Sequence, residues 1–232
     1  MHCTLVIYPA ERKRDAILIA SIIGNARAMD VARCGEVDAT RYTHIISLTP
    51  QPLPWAAEEF ISEAEDAAQA GERLRYRFER ADGKVMPPDL LKERMESFLR
   101  EHNTCALATC RKGKPRSTPM EYHYLDGCLF LLSSGGLKFI GFSETEKAAL
   151  SISEPYGRFK PLAGFQAEGV LDELLPEDPL FSKLLVLDQV DLAVYARSPV
   201  DTHILRFRIQ QSELLLSAFR KEGYGVRQYL TW

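Results

Sequence analysis

Hydrophobic and polar positions divide the chain into two unlike halves. Residues 4–8 are a nearly unbroken apolar run and residues 43–48 centre on Ile45, Ile46 and Leu48, the patterns of buried strands. Between them, residues 12–27 space their apolar positions as a helix does, and residues 30–34 carry a further short strand pattern. Strand, helix and strand in that order predict parallel pairing with a right-handed crossover. Pro50, Pro52 and Pro54 stop the sheet, and residues 55–69, rich in Ala and Glu, predict an acidic helix that ends at Gly71. Residues 72–89 turn polar, with Ala81-Asp82-Gly83-Lys84 as a turn signal and Pro87-Pro88 as the entry to the next helix. This places a small α/β segment at 1–80 and a second domain at 87–232.

The second half opens with a helix over 88–102 that puts Leu91, Met95, Phe98 and Leu99 on one face. Strands follow. Residues 104–110 connect through Arg111-Lys112-Gly113-Lys114 to residues 115–124, and Asp126-Gly127 is a two-residue hairpin signal leading into 128–132. Further strands are predicted at 149–153, 164–171, 191–197 and 203–211, with a helix over 176–187. Strands at this spacing with short helices between them predict a small antiparallel barrel, and hence an α+β chain.

Composition narrows the function. With 46% hydrophobic and 26% charged residues among 232, the chain has the make-up of an ordinary globular protein. Its 29 Lys and Arg against 32 Asp and Glu leave a net charge of -3, so no global positive field is offered to nucleic acid or an anionic membrane. The longest apolar runs, 4–8 and 16–23, fall short of the roughly 20 residues of a membrane span, and a charged run at 11–15 interrupts them, which also spoils a signal peptide. A cytoplasmic location is expected. Five cysteines without a Cys-x-x-Cys suggest neither a disulfide framework nor a zinc site, and buried thiols are expected.

Two segments carry candidate chemistry. Arg116-Ser117-Thr118-Pro119 begins a strand with a cation and two hydroxyls. Ser133-Ser134-Gly135-Gly136-Leu137-Lys138 ends the next strand and opens a short helix, combining hydroxyl donors, glycines that let the backbone approach a ligand, the positive end of a helix, and an ammonium. The Asp126-Gly127 hairpin sets the two segments side by side. The plainer alternative for the second is a helix cap followed by a solvated lysine. Six carboxylates between Glu58 and Glu72 read as a solvated helix face, and the basic cluster Arg111, Lys112, Lys114 and Arg116 sits on one turn without interleaved aromatics, so no nucleic-acid partner is expected.

The segments Met95-Glu96-Ser97-Phe98-Leu99, Cys105-Ala106-Leu107-Ala108-Thr109, Gly113 to Met120, Asp126-Gly127-Cys128-Leu129-Phe130, Ser133 to Phe139 and Ala149-Leu150-Ser151-Ile152-Ser153, in that order, resemble the pyridoxamine 5′-phosphate oxidase-like, split-barrel FMN-binding family. The resemblance implies a six-stranded antiparallel split β-barrel and a homodimer with FMN at the subunit interface. By position, Arg116, Ser117, Thr118 and Pro119 would border the ring and ribityl chain, while Ser133, Ser134, Gly136 and Lys138 would hold the phosphate. It further implies an FMN-dependent oxidoreductase acting between a reductant and a small acceptor, with a non-catalytic flavin carrier, store or sensor as the alternative. The oxidases proper carry an Arg-Leu-His segment near the C-terminus where this chain has Val226-Arg227-Gln228-Tyr229-Leu230, and their lysine after the first flavin-contacting arginine is absent from Met120-Glu121-Tyr122-His123. Oxidation of vitamin B6 is therefore not expected.

The first half, with its Arg41-Tyr42-Thr43-His44-Ile45-Ile46 segment, resembles the start of a flavodoxin-like domain. Its loop after the first strand, Pro9-Ala10-Glu11-Arg12-Lys13, has neither the glycine nor the hydroxyls of a phosphate loop. No nucleotide is expected there.

Overall fold

The computed structural model describes residues 3–82, 85–143, 145–155, 157 and 162–232, and the chain splits into two compact units, Met1–Val85 and Met86–Trp232. The first contains β1 (Thr4–Tyr8), α1 (Lys13–Ile23), β2 (Ala26–Asp30), β3 (His44–Ser47), β4 (Glu59–Phe60) and α2 (Ala67–Asp82). The strands form one parallel sheet in the order β2-β1-β3-β4. Every residue of β1 is buried, as a central strand covered on both faces requires. One face packs Val6, Tyr8 and Ile46 against Ala16 and Ile19 of α1 and Ala70, Leu74 and Phe78 of α2. The other packs Leu5 and Ile7 with Met29 of β2, Cys34 of the 3-10 turn that follows it, and Leu53 and Trp55 of the segment after β3.

Three sequence expectations fail in this unit, each for a local reason. The second strand lies earlier than 30–34, because the Asp30 side chain accepts from the Ala32 amide and starts a 3-10 turn over Val31–Glu36. Residues 55–69 are not a helix. Glu59 and Phe60 pair with β3, and α2 begins only after Asp66, whose carboxylate accepts from the amides of Ala68 and Gln69. Gly71 does not end that helix but lies inside it. A Cβ there would come 3.0 Å from Ile22 Cδ1 and 3.3 Å from the Ile19 Cα, so the glycine serves the close approach of α1 and α2. Of the expected turn at 81–84, Gly83 and Lys84 lie outside the described residues.

The second unit contains α3 (Pro88–Glu101), β5 (Thr104–Arg111), β6 (Lys114–Glu121), β7 (His123–Leu125), β8 (Cys128–Ser133), α4 (Lys138–Phe142), β9 (Lys147–Ser153), β10 (Ala163–Leu174), α5 (Pro179–Leu187), α6 (Leu192–Tyr195), β11 (His203–Leu216) and β12 (Arg227–Thr231). Its sheet is antiparallel throughout and runs β6-β5-β9-β10-β11-β8-β7, with β12 added to β11. The two ends of that order are one piece of chain. Only Tyr122 separates β6 from β7, so a single bent strand bonds β5 with its first arm and β8 with its second, and the sheet closes. Tyr122 is buried at the bend, and its hydroxyl donates to the Leu99 carbonyl of α3 at 3.0 Å. Counting the bent strand once gives the six barrel strands expected, and β12 is the strand the sequence pattern missed. The tight turns are where they were expected: Lys112 and Gly113, and Asp126 and Gly127, all have positive φ.

Leu107, Leu129, Leu131, Leu150, Phe165, Leu205 and Phe207 fill the barrel, joined by Leu91, Met95, Phe98 and Leu99 of α3. On the outer face of β8, β10 and β11, a second cluster of Phe130, Leu174 and Ile204 lies under Phe181, Leu184 and Leu185 of α5. Residues 191–197 do not form a strand. The Asp191 carboxylate accepts from the amides of Ala193 and Val194 and turns them into the short α6. In β11 the buried positions change phase, from Leu205, Phe207 and Ile209 to Ser212 and Leu214. The register shift opposite Glu168 and Gly169 marks a bulge at Gln210, whose carbonyl accepts from the Trp232 amide at 3.0 Å.

The thiols are not uniformly buried as expected. Cys34 and Cys105 are, Cys3 and Cys110 are exposed, and Cys128 is intermediate. Burial pushes the Cys105 thiol up to about 12, so it stays protonated and inert. No helix among the described residues is long and apolar enough to cross a membrane.

Candidate functional site

The short helix α4 packs on β5 and β6. The approach is close: a Cβ on Gly141 would lie 2.7 Å from the Thr109 side chain and 3.0 Å from the Cys110 nitrogen. Thr109 is itself buried and donates from its hydroxyl to the Lys138 carbonyl at 3.4 Å. Arg116 is the cross-strand partner of Thr109. Glycine at 141 and threonine at 109 therefore bring the Ser133–Lys138 loop beside the start of β6.

Within the loop, Gly135 and Gly136 take φ of 107° and 113°, a region open to glycine and strained for other residues. The Ser133 hydroxyl accepts from the Gly135 amide and donates to the Gly135 carbonyl, both at 3.0 Å. The Lys138 ammonium donates to the same carbonyl at 2.5 Å. Lys138 is half-buried, and desolvation holds its ammonium below the ordinary lysine range. Among the described residues no carboxylate pairs with it. Neither serine caps α4, which has no side-chain cap, so the plainer helix-cap alternative does not describe this loop. A helix of five residues also contributes little macrodipole. The side-chain donors here are the ammonium and the hydroxyls of Ser133 and Ser134, of which the ammonium and the Ser133 hydroxyl now turn to the Gly135 carbonyl.

The two candidate segments meet only in part. Register with β5 puts Arg116 and Thr118 on the side of Leu107, Thr109 and Met120, toward the barrel mouth, and Ser117 and Pro119 on the opposite face with Ala106 and Ala108. Arg116, Ser117, Pro119, Ser134 and Gly136 are exposed, while Thr118, Ser133 and Lys138 are half-buried. Arg116 has no ion-pair partner among the described residues. The outer face beside Ser117 carries small side chains only, Ala106 and Ala108 with Ala149 and Ser151 of β9 across from them. His123, on β7, lies apart from the loop and pairs with Asp188 at 3.2 Å.

Thr109, Gly141, His203 and Glu173 also stand around this loop, and sequence reasoning did not single them out. The last two stand on the loop's other side, where His203 is the cross-strand partner of Ser133 and Glu173 holds its Nδ1 at 2.5 Å. Nothing local marks them, because the pairing of β8 with β11 joins residues 70 positions apart.

In the first unit, the loop after β1 is a 3-10 turn over Ala10–Arg12. The buried Arg12 guanidinium donates to the Ile61 carbonyl at 2.6 Å, to the Leu48 carbonyl and to Asp15. It ties strand ends together and is not offered to an anion. A groove of about 430 Å³ at the ends of β3 and β4, lined by Ser47, Thr49, Leu53, Trp55 and Phe60 among others, has no charged lining residue among those described.

A closed antiparallel barrel of six strands, with a glycine-bearing loop and short helix over one end, is a split barrel. The chain belongs to the pyridoxamine 5′-phosphate oxidase family, whose pattern matches residues 91–215, more than half of its length. No curated protein sequence matches the chain. Among solved structures, it is similar to an FAD-binding protein from Mesorhizobium loti, with 18% identity, 56% of this chain and 93% of the other covered and a TM-score of 0.42. It is similar to a heme binding protein from Mycobacterium smegmatis, with 23% identity, 64% of this chain and 60% of the other covered and a TM-score of 0.46. A third is a Clostridium acetobutylicum protein related to general stress protein 26 of B. subtilis, of the pyridoxinephosphate oxidase family, with 15% identity, 63% and 96% covered and a TM-score of 0.45.

Proposed function

We propose that the chain is an FMN-binding flavoprotein, an oxidoreductase that works as a homodimer with the flavin at the subunit interface. The observation that carries this reading is the Ser133–Lys138 loop: an ammonium, held below its ordinary range by desolvation and with no carboxylate partner among the described residues, beside two glycines in left-handed conformation. A phosphate at this loop would supply the negative charge that Lys138 lacks, and it would meet the Ser133 and Ser134 hydroxyls at the same place. FMN, when bound, supplies hydride and single-electron chemistry. The protein's part is to hold the phosphate with Ser133, Ser134 and Lys138, to border the ribityl chain and ring with Arg116, Ser117, Thr118 and Pro119, and to exclude water from the ring.

A second protomer is supported by what surrounds the loop. Leu137 and Ile140 expose 56% and 42% of their surface there, and the small residues on the outer face of β5 and β9 leave the sheet open to a flat partner. An interface of this kind typically buries about 2,000 Å² or more. The pyridoxine reaction itself is not proposed. In the place of the oxidases' Arg-Leu-His segment, β12 is a structural strand, with Gln228 buried and its side-chain Oε1 accepting from the Met86 amide at 3.0 Å.

Sedimentation of the protein titrated with FMN is expected to show a dimer carrying one flavin per chain. A stable monomer with full FMN affinity, or two flavins per chain, contradicts this. Anaerobic addition of NADH or NADPH separates turnover from storage: an oxidoreductase bleaches its flavin faster than free FMN is reduced, and a carrier, store or sensor does not.

A further inference from the structure

His203 opens β11 opposite Ser133 in the antiparallel register, on the face of Leu205 and Phe207 that lines the barrel. Its ring packs on Phe139, the residue after Lys138, with centroids 4.9 Å apart. Nδ1 lies 2.5 Å from the Glu173 carboxylate. Nε2 has no hydrogen-bond partner among the described residues. Ring and carboxylate are each about one-third exposed, so solvent and ligand can reach them.

We infer that His203 is a second, proton-dependent donor of the anion site at the Ser133–Lys138 loop. The inference rests on the FMN reading above. Glu173 accepts only, so it fixes the Nδ1 proton and leaves Nε2 as the atom that gains or loses the other. In the charged ring, Nε2–H donates toward an anion on the loop. In the neutral ring the same atom presents a lone pair, and Glu173 behind it adds negative charge. The protonated ring donates to an anion and the neutral ring does not, so the site would hold a phosphate more tightly when the ring carries its second proton. Among the described residues, the ionisable groups on the ring's side are Glu173 on β10 and Lys138 at the start of α4, while Asp172 and Arg206 pair on the opposite face of the sheet. The segment of β8 that faces the ring contributes only Ser133.

The test is the affinity for FMN and for riboflavin of the full chain and of His203→Gln, at about pH 6 and about pH 8.5. The phosphate of FMN titrates too, but identically for both proteins, so its effect cancels in their ratio. At the lower pH the variant is expected to bind FMN roughly 10-fold more weakly, the loss of one charge-assisted hydrogen bond, with riboflavin unchanged. At the higher pH wild type and variant converge. Equal FMN affinity for both proteins at both pH values overturns the inference while leaving the FMN reading standing. An equal loss for FMN and riboflavin overturns it too, because the ring then acts only by packing on Phe139. If the wild-type protein binds no FMN, both readings fall.

Discussion

Replacing Lys138 by alanine is expected to weaken FMN binding by about 10- to 150-fold and to leave riboflavin binding nearly unchanged. A charge-assisted hydrogen bond in a partly enclosed cleft contributes roughly 1.5–3 kcal/mol, which converts to that range of affinity. The ammonium is already poised, since it lies half-buried on the Gly135 carbonyl and is penalised by desolvation there. Exchanging that carbonyl for a phosphate recovers the penalty. Riboflavin has the same ring without the phosphate and reports on everything else, including any loosening of the loop when the bond to Gly135 is lost. Lys138→Met keeps much of the side chain's apolar length without its charge and is expected to behave as the alanine variant does. Isothermal titration with both flavins is the measurement. Equal losses for FMN and riboflavin would point to a folding defect and remove the support for a phosphate role.

The largest effect on stability is expected from Gly169→Ala. Gly169 lies on β10 at the bulge in β11, where a Cβ would overlap the Arg208 carbonyl oxygen and come 3.0 Å from Cζ of Phe207, a fully buried ring. Neither neighbour yields easily, because one is sheet backbone and the other fills the barrel. Overpacking of this kind costs about 1–3 kcal/mol, occasionally more, or roughly 3–10 °C in the melting of a unit this size. Gly164→Ala on the same strand is the control, since its Cβ comes no closer than 3.4 Å to the Ile152 carbonyl. Calorimetry showing that Gly169→Ala melts with the wild type would contradict the bulge.

Features written in short stretches of sequence were legible, and features that depend on distant partners were not. Asp126-Gly127 and Lys112-Gly113 fix their turns by backbone conformation alone, so two hairpins could be placed from a few residues. The apolar face of α3 was equally plain. Gly71 misled because a glycine near a helix end and a glycine under a crossing helix look the same until Ile19 and Ile22 of α1 are in place. The cap at Asp66 was present in the sequence but outweighed by the Ala and Glu content before it. The same competition hid α6, where the Asp191 carboxylate redirects a segment with strand composition. Ser133, Gly136 and Lys138 of the proposed site could be singled out because loop chemistry is local. His203, Glu173 and Thr109 could not, since each reaches that loop through a strand pairing or a helix crossing. The fourfold motif at Arg116 shows the limit from the other side: its residues are contiguous in sequence, yet strand alternation sends Arg116 and Thr118 to one face and Ser117 and Pro119 to the other.

The central claim, that this barrel holds FMN, is tested most directly by the absorption spectrum of the purified protein together with the identity of whatever it releases on denaturation. A yellow protein with a flavin spectrum that releases FMN, one per chain, is the predicted result. A colourless protein that takes up no FMN on titration would contradict it.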